Sequence, residues 1–383
     1  MTVTAPQGFQ AAGVTAGLKA SGGRDLAVVV NRGPHPAAAA VFTSNRAQAN
    51  PVRWSRMVMG ETVPTAIVLN SGGANCFTGE YGYETTRMTA AAVAEGVGTE
   101  IHQVLVCSTG LIGEQLDRDL LMGGVDAALT ALSVTGGDDA ADAILTTDTR
   151  AKTVTHTRDG WTIGAMAKGA GMLAPSLATM LVVITTDAWL SSAEADAALR
   201  AATRVTFDRL DSDGCQSTND QVTLLASGAT GIRPDREAFD EALTRVCAEL
   251  AHELMADAEG AHHEITITVS GAASEDDAVE VARSVARNNL FKTAIFGNDA
   301  NWGRVLAAIG TTRAEFDPDN VDVSLNGVRV CHRGEPDRPR SEVDLTPRAA
   351  ALSIELNVGA ASASVLTNDL TLAYVHENSA YSS

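Results

Sequence analysis

The sequence predicts an α+β protein built in layers, not a doubly wound parallel sheet. Three observations carry that expectation. Strand-like and helix-like runs alternate irregularly along 383 residues. From about Glu315 the chain turns to short strands and turns, with an Asn-Gly hairpin signal at 326–327. A long amphipathic helix at 235–256, with Phe239, Leu243, Val246, Leu250 and Leu254 at three- and four-residue steps, stands before a strictly alternating strand at 263–272.

In chain order, LAVVV and AAAAVFTSN (26–45) are apolar runs split by a Gly-Pro turn, and TAIVLNSGGAN (65–75) is a strand running into a glycine loop. YETTRMTAAAVAEGV reads as an Ala-rich helix, and QVLVCSTG (103–110) as a strand ending in a glycine turn. Strand ends of this kind present backbone groups to a site. A helix containing Leu116 and Leu120 to Met122 follows. Then come a Gly-Gly-Asp-Asp break at 136–139, a short helix, TTDTR (146–150) and the strand KTVTHT. The apolar run from Met180 to Thr185 reads as a buried strand. Residues 191–207 read as a helix with a capping box placed on Ser192, 211–220 as a polar loop and QVTLLASG as a strand. A helix is expected at 275–288. RGEPDRPR (333–340) is a charged surface loop, and the last segments, IELNVG and ASASVLTNDLTLAYVHENSAYSS, read as antiparallel strands. A smaller lobe falls roughly at 270–345.

The composition, 45% hydrophobic and 20% charged, is that of a globular chain. A net charge of −19 without Lys/Arg clusters excludes nucleic acid as partner. Five cysteines, widely spaced and without a C-x-x-C pair, fit reduced thiols. The N-terminus lacks a signal-peptide pattern and no run approaches ~18 apolar residues, so a cytoplasmic protein without a membrane segment is expected. Lysine is scarce (Lys19, Lys152, Lys168, Lys292), which sets apart Lys168 and Lys292, both inside apolar segments.

Motifs for serine hydrolases, zincins and P-loops are absent. KGAG precedes a strand, not the helix a dinucleotide loop needs. His262 and His263 adjoin at a strand start and point to opposite faces, and no other ligand stands at metal spacing, so no metal is expected. Asp211 and Asp213 suit Asx turns better than calcium.

Within AKGAGMLAPSLATMLVVITTD (167–187), Thr179 stands at the mouth of a buried strand after a glycine- and proline-containing loop. A residue kept for β-propensity explains it as simply. A threonine hydroxyl needs an adjacent base to act as a nucleophile. Cleavage of Ala178–Thr179 would supply one, because a free α-amine has a reference pKa of about 7.7–8.0. A strand-end glycine turn such as Ser108-Thr109-Gly110 suits an oxyanion hole.

Assembled in order, LNSGGANCFTG (69–79), CSTGLIG (107–113), TTDTR, KGAGMLAPSLATML (168–181), STND (217–220), DAEGA (257–261), NDANWGR (298–304) and the terminal YVHENSAYSS resemble the ornithine acetyltransferase (glutamate N-acetyltransferase) family of arginine biosynthesis over nearly the whole chain. The resemblance implies a layered α/β/β/α sandwich with a smaller α/β lobe in the C-terminal half. It implies self-cleavage into an α chain (1–178) and a β chain (179–383), with two of each in a heterotetramer. Acetyl would pass from N-acetylornithine to glutamate through acetyl-Thr179 in a ping-pong cycle, with no cofactor and with acetyl-CoA as an optional donor. Thr109 and Gly110 would form the oxyanion hole, and Thr146, Lys168, Thr179, Glu259, Asn378 and Ser383 would bind substrate. The charges suit Lys168 to a substrate carboxylate and Glu259 to an ammonium group. The chain departs from the family in EGAHHE, which puts His263 where lysine is usual, in LAPSLATML for PNMATML, and in Ala300 where proline is usual. A self-processing amidase or aminopeptidase, passing the acyl group to water, and an uncleaved binding protein are the alternatives.

Overall fold

The computed structural model describes residues 2–174 and 180–380. The chain begins with strands β1 (Phe9–Val14), β2 (Leu26–Asn31) and β3 (Ala37–Phe42), then helix α1 (Asn50–Glu61), β4 (Ala66–Asn70), α2 (Gly79–Val97) and β5 (Val104–Ser108). It continues through α3 (Arg118–Ala131), α4 (Gly137–Ala143), β6 (Lys152–Arg158) and β7 (Trp161–Lys168). After the undescribed stretch come β8 (Leu181–Thr186), α5 (Ser192–Val205), β9 (Gln221–Ala226), α6 (Arg236–Ala256), β10 (Glu264–Ala272), α7 (Glu275–Ala286), α8 (Asn289–Phe296) and α9 (Trp302–Ile309). The last elements are β11 (Asp322–Leu325), β12 (Val328–His332), β13 (Glu335–Pro336), β14 (Ala349–Glu355), β15 (Ala361–Asn368) and α10 (Leu372–Ala380).

The strands form three sheets, ordered β1-β2-β4-β5, β3-β9-β8-β7-β6 and β13-β12-β11-β14-β10-β15. Strand β8 explains the layering. All six of its residues are buried, so its sequence runs apolar from Leu181 to Ile184 and ends in two threonines whose hydroxyls donate to backbone carbonyls. Leu181 and Val183 pack into the core shared with the first sheet, whereas Val182 and Ile184 pack with α5 and α6. Helices α2 and α3 cover the other side of the first sheet. The result is the α/β/β/α order, and the third sheet, with α7 and α9, has a core of its own. The α+β expectation therefore holds. Among the described residues no helix is long and apolar enough to cross a membrane.

The edge strand β5 is sealed by α1. The Trp54 indole donates to the Val104 carbonyl (3.0 Å), and the Ser55 hydroxyl donates to the Val106 carbonyl (2.8 Å) and accepts from the Val106 amide (3.0 Å). Side chains thus take the ladder bonds that an open edge would leave unpaired.

Four local expectations need correction. The capping box of α5 is on Ser191, not Ser192: Ser191 Oγ accepts the Glu194 amide at 3.2 Å, and the Glu194 carboxylate accepts the Ser191 amide at 2.7 Å. Gly137 to Asp139 open α4 and do not break the chain. Strands β14 and β15 do not pair with each other, because β10 lies between them, parallel to β14 and antiparallel to β15. Leu372–Ala380 in the tail form helix α10, not a strand. Its β-like LTLAYV pattern has no neighbouring strand to pair with, and the Thr371 hydroxyl instead accepts the Tyr374 amide at 3.0 Å in the first turn.

Candidate active site

Parallel strands β4 and β5 end side by side, and their glycine loops face the end of β7. Thr109 follows β5, anchored by its amide to the Asn70 carbonyl at 3.0 Å. Gly110 has a φ of +126°, which excludes a side chain without strain. Among the described residues the Gly110 amide has no hydrogen-bond partner, so it is free to serve a ligand.

Lys168 ends β7 and is 1% exposed. Its Nζ donates to Thr146 Oγ1 at 2.7 Å and to Thr109 Oγ1 at 3.3 Å. Because both threonine oxygens accept from the lysine, their own protons remain available to a bound oxygen. Burial lowers the pKa of Lys168, and Asp148, 3.9 Å from its Nζ, pulls it back up.

Asp148 is the residue around which the buried charges are arranged. Its Oδ1 accepts the Lys152 ammonium (2.6 Å) and the Gly169 amide (2.6 Å), and its Oδ2 accepts the Thr146 amide (3.1 Å). Burial works to raise this carboxyl, but the Lys168 and Lys152 charges and the Gly169 amide outweigh it and hold it at about 2. Lys152 also donates to Asp257 at 2.6 Å, two residues before Glu259.

Glu259 comes from the loop after α6, its amide bonded to the Ala170 carbonyl at 2.9 Å. Its carboxylate accepts from Asn378 Nδ2 of α10 at 3.1 Å. A β-carbon on Gly171 would lie within 2.8 Å of that carboxylate, so the close approach requires glycine there. Thr109, Gly110, Thr146, Lys168, Glu259 and Asn378, from five separate segments, therefore line one cleft, together with Ile112, Thr147, Gly171 and Met172.

Ala178, Thr179 and Ser383 lie outside the described residues. Met180, bonded to Thr179, donates its amide to Asp220 Oδ1 at 3.2 Å. Asp220 is fully buried, and burial pushes its carboxyl well above the usual range.

His263 stands away from the cleft. Its Nδ1 meets Asp369 Oδ2 at 2.8 Å and its Nε2 the Leu345 carbonyl at 2.8 Å, so it braces the third sheet, while His262 is exposed on the opposite side. Asp213 makes the expected Asx turn with the Cys215 amide at 3.0 Å and also accepts the distant Met172 amide at 2.9 Å, whereas Asp211 is held by an ion pair with Arg287 at 2.8 Å instead of an Asx turn. Sequence reading passed over Asp148, Lys152, Asp257 and Asp220. The available signal was the Asp148/Lys152 pair at four-residue spacing in TTDTRAK, in a chain with four lysines.

A sequence model of the ArgJ family matches residues 10–383. "Arginine biosynthesis bifunctional protein ArgJ" of Thermobifida fusca is 57% identical over 382 residues, covering 100% of both chains. The protein of the same name from Streptomyces coelicolor is 58% identical over 383 residues, again covering 100% of both. A solved structure of ornithine acetyltransferase complexed with ornithine, from Mycobacterium tuberculosis, is 48% identical, covers 47% of this chain and 96% of that chain, and superposes with a TM-score of 0.44. The chain belongs to the ArgJ family.

Proposed function

We propose that the chain is an acetyltransferase of arginine biosynthesis that cuts itself between Ala178 and Thr179 and then carries acetyl from N-acetylornithine to glutamate on Thr179. The observation that carries this reading is the convergence of the Gly110 amide, unpaired among the described residues, the Thr109 hydroxyl, a buried Lys168 ammonium and the Glu259 carboxylate on one cleft. Family membership over residues 10–383 and full-length relatives named for arginine biosynthesis support it.

In the self-cleavage, the Thr179 hydroxyl attacks the Ala178 carbonyl carbon, and the C–N bond breaks to leave an ester and a free α-amine. Water then hydrolyses the ester. In transfer, the Thr179 oxygen attacks the acetyl carbonyl carbon of N-acetylornithine while its proton passes to the α-amine of Thr179. The oxyanion takes hydrogen bonds from the Gly110 amide and the Thr109 hydroxyl. Collapse breaks the acetyl–nitrogen bond, and ornithine leaves with that proton on its amine. The glutamate amine then attacks the acetyl ester, and the same protons run in reverse. Lys168 binds the substrate carboxylate, Thr146 orients Lys168, and Glu259 with Asn378 receives the substrate's ammonium group. We assign Ser383 to substrate binding as well. No cofactor is needed. The relatives are named bifunctional, and acetyl-CoA is the second donor we assign. We place the cleaved α and β chains in a cytoplasmic heterotetramer of two each.

Purified protein on a denaturing gel should give two bands, the second beginning at Thr179, whereas Thr179→Ala should give one. An intact wild-type chain, or two bands in the variant, overturns the mechanism. Acetylglutamate formed only when glutamate is present separates transfer from an amidase, which would release acetate regardless. Lys168→Met should raise KM more than it slows cleavage.

A further inference from the structure

We propose that Asp148 is a positioning residue for Lys168, keeping its ammonium charged and leaving one of its protons free for the carboxylate of the amino-acid substrate. This rests on the acetyl transfer proposed above and adds a residue to it. An ammonium group has three protons. Among the described residues Lys168 gives two, to Thr146 and Thr109. At 3.9 Å Asp148 is close enough to supply countercharge but too far to take the third as a hydrogen bond.

The carboxylate is held at that distance by its other bonds. Lys152 and the Gly169 amide fix one oxygen, and the Thr146 amide fixes the other. Lys152 is fixed in turn by Asp257 at 2.6 Å. The Asp148 and Lys152 side chains are 0% exposed and Asp257 is 6% exposed, so water cannot replace the countercharge. A buried ammonium without such a partner gives up its proton and can no longer bind an anion. Burial and the Lys152 charge favour the neutral form of Lys168, while Asp148, Asp220 and Glu259 favour the charged form. Lys19 also faces Lys168 as a second positive charge.

The two buried neighbours therefore act on Lys168 with opposite sign, and a role in structure alone would not reproduce that. KM for N-acetylornithine and for glutamate is measured against pH for wild type, Asp148→Asn and Lys152→Met, with thermal melts to verify folding. In wild type KM should rise at alkaline pH as Lys168 loses its proton. In Asp148→Asn that rise should begin about one pH unit or more lower, with KM at neutral pH about tenfold higher and kcat changed less. In Lys152→Met it should begin at higher pH. A wild-type KM that stays flat with pH, limbs that shift in the same direction in both variants, or no shift in either overturns the assignment. Where Asp148→Asn does not fold, Lys152→Met and the wild-type profile decide it. Failure of wild type to acetylate glutamate from N-acetylornithine overturns the transfer reading itself, whereas transfer with unshifted limbs overturns Asp148 alone.

Discussion

A β-carbon on Gly110 would stand 2.8 Å from the Gly73 amide nitrogen, and the φ of +126° disfavours any side chain. Gly110→Ala should therefore displace the amide we assign to the oxyanion. Loss of one such donor lowers kcat by roughly 10²–10³-fold. Initial rates should show that loss with KM nearly unchanged, and a drop confined to KM would remove Gly110 from the transition state. Two lysines that look alike in sequence separate at this scale. Lys292 Nζ meets the Ser212 carbonyl (2.6 Å), Thr367 Oγ1 (3.1 Å), Asn368 Oδ1 (3.2 Å) and the Asn368 carbonyl. Its protons are fully taken by the fold, and burial draws it down to about 8. Among the described residues Lys168 has two acceptors and one proton to spare. Apolar flanks announced burial for both, but only the count of acceptors, contributed by distant segments, sets Lys292 apart from the lysine we assign to the substrate.

Helix α10 buries none of its described side chains, yet it brings Asn378 to Glu259. Its first turn is tied by the Thr371 hydroxyl, which donates to the Gly260 carbonyl at 2.6 Å, next to Glu259. Thr371→Val keeps the shape and removes that tie along with the bond from the Tyr374 amide. At about 1 kcal/mol per hydrogen bond, KM for the ammonium-bearing substrate should rise roughly tenfold with little change in melting temperature. An unchanged KM would show that α10 does not serve the cleft. The sheets were legible where both faces of a strand are buried, as in β4, β5 and β8, because such strands are nearly uniformly apolar. Strand β1 (FQAAGV) was missed: it is short and alanine-rich, and its place in the sheet comes from pairing with β2. Helix α10 was misread because LTLAYV has strand-like residues. Thr109, Gly110 and Lys168 could be picked out from a strand-end glycine turn and an apolar-flanked lysine, whereas Thr146, Glu259 and Asn378 could be named only through likeness to a family, since spacing along the chain carries no trace of their convergence.

For the whole molecule, the second sheet is the element that matters. It takes β3, β6 and β7 from before residue 174 and β8 and β9 from after residue 180, with β7 paired to β8 from Ile163↔Thr186 to Lys168↔Leu181. With the proposed cut at Ala178–Thr179, that hairpin would become a seam between two polypeptides, neither of which holds all five strands of the second sheet. Unfolding then releases two molecules instead of one. The melting temperature of the processed protein should rise with protein concentration more steeply than that of uncut Thr179→Ala, because each processed unit releases two chains where the uncut one releases one. A processed protein with a concentration-independent melt would mean that the halves stay joined after unfolding. The same interleaving gives the cut a direction in time. The precursor finds its fold as one chain, with both ends of the β7–β8 hairpin tethered. An enzyme cut as proposed, once unfolded, would have to reassemble from two partners that meet only by diffusion, so its durability would rest on the slowness of coming apart.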